Sequence, residues 1–362
     1  MRQGGAVFLE SGAWIAFALS RDSLDPNARE QVKNLRTIKP IVYLLGLGGV
    51  ALFIVLLIRE GVGQVGSAIA HAGWGLLGVT LYHLLQTVSD AAGWLVLIPK
   101  EHRIPLIKSV FLNWIGESIN NLLPTGRVGG DIVITRMAAI WGIPLKIATA
   151  VIIVDVTIGV VTKVIYIVPA GILLIAKTGR VDLARPTVVA MITGIFAAGG
   201  FYVVQRLGIF RWTATLASRL AKSPGWDSLV QSGEALDQTI ALVYAQHRAV
   251  AGSYFYWILS WFIASGEIWF SLWALGFRSS FMTAIILESG ALVVRSAAFL
   301  VPGALGVQEG GYIILGNLLG IPGEIAFALS LVRRMRELAL GIPALITWQL
   351  MEATRLWRGW RS

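Results

Sequence analysis

Residues 117–131 read Glu-Ser-Ile-Asn-Asn-Leu-Leu-Pro-Thr-Gly-Arg-Val-Gly-Gly-Asp, and they interrupt the apolar stretch 109–142 at its middle. Proline lacks an N–H and glycine gives up the most backbone entropy, so a helix does not run through this run. The apolar pieces on either side are each too short for the about 20 residues that a membrane span needs. Such a broken helix survives at bilayer depth only where protein or a watery cavity satisfies the freed backbone groups.

A second stretch of the same kind lies at 299–321, where Val301-Pro302-Gly303-Ala304-Leu305-Gly306-Val307-Gln308-Glu309-Gly310-Gly311 separates two short apolar pieces. The two breaks match residue for residue in spacing. Glu117 stands seven before Pro124 and Asp131 seven after it, while Arg295 and Glu309 bracket Pro302 at the same distances. Paired Gly/Pro-interrupted segments in corresponding halves point to a binding site at a repeat interface. The duplication could be inverted or parallel.

Around these breaks lie ordinary candidate spans at 40–58, 74–98, 187–207, 250–275 and 281–302. The stretch 146–176 exceeds one span, and reads either as a tilted helix or as a span with an interfacial extension, with Pro169 offering a kink or break. The fold expected is therefore all-α: a polytopic membrane bundle of about seven to nine spans with two broken or re-entrant segments. Its parts are a cytosolic or interfacial N-terminal tail (1–39), a transmembrane domain (40–351) and a basic cytosolic tail (352–362).

Composition agrees. Hydrophobic residues make up 56% of the chain and charged ones 14%, and mean hydropathy is +0.72. A soluble chain carries about 25% charged residues. The net charge of +10 gathers at the flanks of apolar runs, as at Lys100, Arg103 and Lys108 or Arg355, Arg358 and Arg361. This fits cytoplasmic flanks and anionic lipid rather than nucleic acid. The basic tail and the 99–108 loop place the N-terminus in the cytoplasm of a bacterial inner membrane, and the basic connection 206–248 goes there too. Lys177, Arg180 and Arg185 fit poorly with the outside location of their loop. Glu10 interrupts the mildly apolar 4–19, so no signal peptide is expected.

Acids inside apolar runs carry the functional argument: Asp90, Glu117, Asp155, Glu267 and Glu288, with Lys163 and Arg295 as counter-charges. Five uncompensated acids facing lipid would cost roughly 12–18 kcal/mol, so they face the bundle interior, a cavity or each other. Asp90, Asp155 and Glu267 are as readily scaffold as site. Glu117, Asn120 and Asn121 share one helix face. Arg127 and Arg136 bracket Asp131 beside Gly126, Gly129 and Gly130, and a guanidinium beside exposed N–H groups suits an anionic headgroup. Glu288 and Arg295, two turns apart, also share a face, and could pair with Arg127 or Asp131 across the halves. Arg333, Arg334 and Arg336 read as an interfacial anchor or else a headgroup contact, and Trp14, Trp141, Trp226, Trp357 and Trp360 as interface anchors.

Several chemistries are unsupported. Cysteine is absent, and His71, His83, His102 and His247 form no ligand pair on one helix face. No Walker loop and no nucleophile elbow occurs. Neither metal nor cofactor is expected.

The segments Glu117–Asp131 with Arg136, and Val301–Gly310, resemble the two motifs of the lysylphosphatidylglycerol synthase membrane region, also called the flippase-like domain family. The likeness runs from about residue 40 to 350. Within it the chain looks most like the subgroup encoded with hopanoid biosynthesis genes. The resemblance implies a lipid-translocating unit. Synthases of the family carry an added soluble aminoacyl-transferase domain. This sequence ends after its last apolar segment, so a non-enzymatic role is expected. A flippase binding a phospholipid, hopanoid or polyprenyl-type lipid leads the readings. The alternatives are a non-transporting accessory subunit of a lipid-export or hopanoid complex and a membrane-embedded transferase.

Overall fold

A computed structural model describes residues 54–55, 58, 62–123, 128–180, 182, 184–206, 226–298 and 304–359. The N-terminal tail, most of the span at 40–58, and Pro124, Gly126, Arg127, Pro302 and Gly303 lie outside these. Among the described residues the regular structure is helical throughout. The helices are α1 (Val62–Ala72), α2 (Gly75–Leu97), α3 (Leu106–Leu122), α4 (Gly129–Ile140), α5 (Leu145–Thr178), α6 (Ala184–Arg206), α7 (Trp226–Ala245), α8 (His247–Ala274), α9 (Phe281–Ala297), α10 (Val307–Leu318) and α11 (Gly323–Gly359).

Both expected breaks are present. Helix ends at Leu122 and resumes at Gly129; it ends again at Ala297 and resumes at Val307. The paired helices match in length, 17 and 12 residues in each hairpin. The shorter members, Gly129–Ile140 and Val307–Leu318, stand 178 positions apart at both ends. That same offset joins Gly142-Ile143-Pro144 to Gly320-Ile321-Pro322. Both glycines have positive φ, +98° and +76°. Each turn is closed by the same bond, Ile143 N–H to the Ala138 carbonyl (3.1 Å) and Ile321 N–H to the Gly316 carbonyl (2.8 Å). This is the glycine-dependent helix stop in which a left-handed residue lets the next N–H reach back. The unit α2–α5 is thus repeated as α8–α11.

The direction of the repeat follows from how its first members meet. Helices α2 and α8 form the most extensive helix pair in the molecule. Close approaches of Gly75 to Ala274, Gly78 to Phe270, Gly266 to Tyr82 and Gly252 to Val96 run in opposite order along the two chains. Equivalent helices that are antiparallel make an inverted repeat, and the pseudo-two-fold axis crosses near Leu85 and Ile263.

The bundle is apolar outside and polar inside. On α2, Leu77, Leu81, Leu84, Leu85 and Val88 are exposed while His83 and Thr87 are buried. On α8, Phe255, Leu259, Phe262, Trp269 and Trp273 are exposed while Ser253, Ser260, Ser265, Glu267 and Ser271 are buried. In water such a surface would aggregate. In a bilayer it is solvated, and the polar groups pair within. One described helix, α5, is long and apolar enough to cross a membrane by length and composition alone, with a mean hydropathy of 2.3. The polar seam lowers that score in α2 and α8.

One sequence reading changes and another gains detail. Helix α5 is continuous over 34 residues through Pro169, about 51 Å long, so the proline ends nothing. The basic 206–248 connection, amphipathic by sequence, carries a helix. Its residues 226–245 form α7, which packs on α5 and puts Ile240, Val243 and Tyr244 into the main core.

Candidate functional site

The buried charges converge where α2, α3 and α8–α11 meet. His83 on α2 lies between two acids: its Nε2 is 2.9 Å from Glu117 Oε1 on α3, and its Nδ1 is 2.8 Å from Glu267 Oε2 on α8. The Arg336 guanidinium contacts the same Nδ1, so acid, ring and guanidinium meet there. Arg336 Nη1 donates to the same Glu267 oxygen at 2.9 Å, and its Nη2 lies 3.5 Å from Glu337 Oε1. One turn earlier on α11, Arg333 forks onto Glu288 of α9, with Nη2 3.2 Å from Oε1, and reaches Tyr312 Oη at 2.5 Å. Arg295 Nη2 adds a contact to Glu288 Oε1 at 3.4 Å. Arg334 Nε donates to Glu309 Oε1 at 3.0 Å.

Charge balance explains why such a group can be buried. Glu117, Glu267, Glu288, Glu309 and Glu337 face Arg295, Arg333, Arg334 and Arg336. His83 lies between Glu117 and Glu267 within this set. Isolated ions of this kind would be prohibitive in lipid, and paired ones with further hydrogen bonds are tolerated.

One edge of this network opens. The Glu117 side chain retains 35% of its exposure, against 1% for Glu267 and 3% for Arg336. Asn121 Nδ2 donates to Glu117 Oε1 at 3.4 Å, and both residues line a cleft between α2, α3 and α11 with Trp114, Ser118, Arg336 and Leu340. Space for water centres in the cleft is about 10 Å³. That is close to the least that holds one water, so in this conformation the cleft excludes a lipid headgroup. A separate apolar recess of about 340 Å³ lies between α5, α6 and α8, lined by Val161, Val164, Ile165, Ile195, Gly199, Tyr202 and Tyr254.

Residues 43–344, which hold both broken hairpins and the polar network between them, match the family model described as the lysylphosphatidylglycerol synthase TM region. The chain belongs to that family. No curated protein matches it. No solved structure matches it either. As a member of the lysylphosphatidylglycerol synthase transmembrane-region family it is a membrane protein involved in lipid handling.

The residues expected at the site distribute unevenly. Glu117, Asn121, Glu288, Arg295 and Glu309 join the buried network. Asn120 faces the other way: its Oδ1 accepts the Gly130 N–H at 2.8 Å, satisfying one of the free donors at the start of α4. Gly130 serves close packing as well as the turn, since a methyl group there would fall 2.1 Å from the Gly116 carbonyl oxygen. Arg136 is exposed and pairs with Glu352 at 3.1 Å, away from Glu117. Asp131 and Glu309 occupy the third position of α4 and α10. Gly129 opens α4, and Gly306, at φ +74°, precedes α10. Arg127 lies outside the described residues.

One expectation is corrected. Arg333 and Arg336 are 2% and 3% exposed, and are interior ion-pair partners instead of interfacial anchors. Glu288 finds a cation in Arg333 of its own half, a partner not expected from the sequence, and Arg127 lies outside the described residues. Sequence reasoning missed His83, Glu337 and Tyr312. His83 left one usable signal, an ionisable ring in the middle of the apolar run 74–98, and such residues inside membrane segments are seldom idle.

Proposed function

We propose that this protein binds a membrane lipid by its headgroup and moves it between the leaflets of a bacterial inner membrane, with no covalent change to the lipid. The observation that carries the reading is the Glu117–Asn121 edge of the charged network, the place where buried charge meets a cleft. A phospholipid, hopanoid or polyprenyl-type lipid would present its polar group there while its tails stayed among apolar helices. Glu117 and Asn121 would exchange their present hydrogen bonds for bonds to the headgroup, and the Arg336–Glu267–His83 group would hold the electrostatics steady behind them. Entry requires α11 to part from α3, because the cleft now admits about one water. The apolar recess between α5, α6 and α8 is large enough for part of an acyl chain. The N-terminus would lie in the cytoplasm, and with no nucleotide-binding loop, movement would follow an ion gradient or simply equilibrate.

The narrowness of the cleft favours one second reading, a non-transporting subunit that presents lipid to an export or hopanoid-biosynthesis complex. Reconstitution in liposomes with fluorescent phospholipid and hopanoid analogues decides between them. Transport predicts transbilayer movement that Glu117→Gln and Arg127→Ala each reduce at least tenfold. A folded protein that moves no lipid leaves the accessory role standing, and a covalently altered lipid product would assign a transferase.

A further inference from the structure

The seam between α2 and α8 holds two polar sites, and the network described above uses only one of them. On α2, His83, Gln86, Thr87 and Asp90 fall at i, i+3, i+4 and i+7, a single face. Facing it on α8 is the stripe Ser253, Trp257, Ser260 and Glu267. Antiparallel packing sets His83 against Glu267 on one side of the pseudo-two-fold axis and Asp90 beside Ser260 on the other. The first side is saturated with counter-charge. On the second, neither Asp90 nor Asp155 of α5 forms an ion pair among the described residues.

The groups around that pair are incompletely bonded. Asp90 Oδ1 is buried without a hydrogen-bond partner, and so are Ser260 Oγ and Ser253 Oγ in serines that are fully buried. Asp155 is 6% exposed and takes one hydrogen bond, from Trp257 Nε1 to Oδ1 at 2.9 Å. Trp257 is wedged between α2 and α5, since methyl groups at Gly93 and Gly159 would approach its ring to 3.6 Å and 3.0 Å. The charged groups on the elements packed around the two acids are His83 on α2, Glu117 on α3 and Asp131 on α4. No cluster suited to a metal ion lies among the described residues. Among the described residues neither carboxyl has an ion-pair partner, and an unpaired carboxylate is costly to keep away from water.

We propose that Asp90 and Asp155 form a proton-binding site, and that proton uptake and release there couples lipid movement to a pH gradient. The coupling rests on the translocation reading given above; the proton site does not. His83, which lines the cleft at Glu117, lies on the same α2 face as Asp90, two helical turns away. A proton on either acid removes the charge that burial penalises. The same two carboxyls, once deprotonated together, would repel and loosen α5 from the α2–α8 pair.

Two measurements on the full-length protein in liposomes test this. Infrared spectra in neutral buffer are expected to show a protonated-carboxyl C=O band that shifts in heavy water, disappears in Asp155→Asn or Asp90→Asn, and persists in Glu117→Gln. Asp155→Glu, which keeps the acid, should move the band without losing it. Absence of the band in the wild type, or its survival in both Asn variants, overturns the proton site. Lipid movement is then followed with an imposed pH gradient or an imposed sodium gradient. Coupling predicts a severalfold acceleration by the pH gradient alone, lost in Asp90→Asn while ungraded movement continues. Acceleration by sodium, or movement indifferent to pH, overturns the coupling. If no lipid moves at all, the translocation reading and the coupling fall together, and the infrared band alone decides the proton site.

Discussion

Removing the Arg336 side chain leaves Glu267 deeply buried with His83 as its remaining partner. Breaking a buried pair from one side costs about 3–5 kcal/mol, because the survivor keeps its desolvation without its counter-charge. Arg336→Ala is therefore expected to destabilise by that amount in detergent thermal unfolding, and Arg336→Ala with Glu267→Gln to be more stable than the Arg336 variant alone. A double-mutant cycle giving no coupling between the two would contradict the pairing. At this scale the sequence was half legible. Intramembrane acids announce themselves by cost, so Glu117, Glu267 and Glu288 stood out. Their cations did not, because Arg333, Arg334 and Arg336 have the composition of a headgroup anchor. What distinguishes them is position: apolar residues 325–332 and 338–346 flank the trio on both sides, whereas an anchor ends an apolar run.

Helix breaks were legible for the opposite reason, being written in residue types with fixed backbone consequences. Proline and glycine at 124–130 and 302–306 end α3 and α9, and the lengths of the pieces follow. Harder to read was which glycine bends the chain and which admits a neighbour. Gly130 admits a neighbour, with Gly116 across from it on α3. Gly130→Ala should push α4 off α3 and cost at least the 1–3 kcal/mol typical of overpacking. Measured against it, Gly142→Ala tests positive φ alone, since nothing lies within 4 Å of that position, and it should cost about 1 kcal/mol. Equal losses in thermal unfolding would undo the distinction. The stretch holding α7 reads as amphipathic in the sequence, but its place in the core does not show, because its polar residues outweigh the few apolar ones that reach it. Pro169 misled because a long membrane helix tolerates a proline when neighbouring helices hold it.

Across the whole molecule, inversion of the repeat fixes which loops share a side. The loop after α2 and the loop after α8 lie at opposite ends of an antiparallel pair, so equivalent positions face opposite compartments. With no native cysteine, Glu101→Cys and Arg278→Cys can each be labelled singly in intact cells. A membrane-impermeant maleimide should reach one and not the other, and reaction of both from outside would rule out the inverted arrangement. Side assignments elsewhere agree. Lys177 near the end of α5 contacts Ser280 and Thr283 by the α8–α9 turn, and Arg136 near the end of α4 contacts Glu352 late in α11. The awkward cations of the 177–185 loop are also partly spoken for. Lys177 is held as above, and Arg180 forks onto Asp182 at 2.9 and 2.7 Å, which reduces their weight as free positive charge.

The repeat offset also aligns Asp155 with Arg333, an acid in one half at the place where the other half carries a base. Had the two halves stayed alike, exchanging their shapes would return the same molecule upside down, and neither pose would be preferred. A carboxyl opposite a guanidinium removes that indifference. The two faces of the membrane therefore meet chemically different halves of one inverted arrangement, so the molecule is not the same seen from either side.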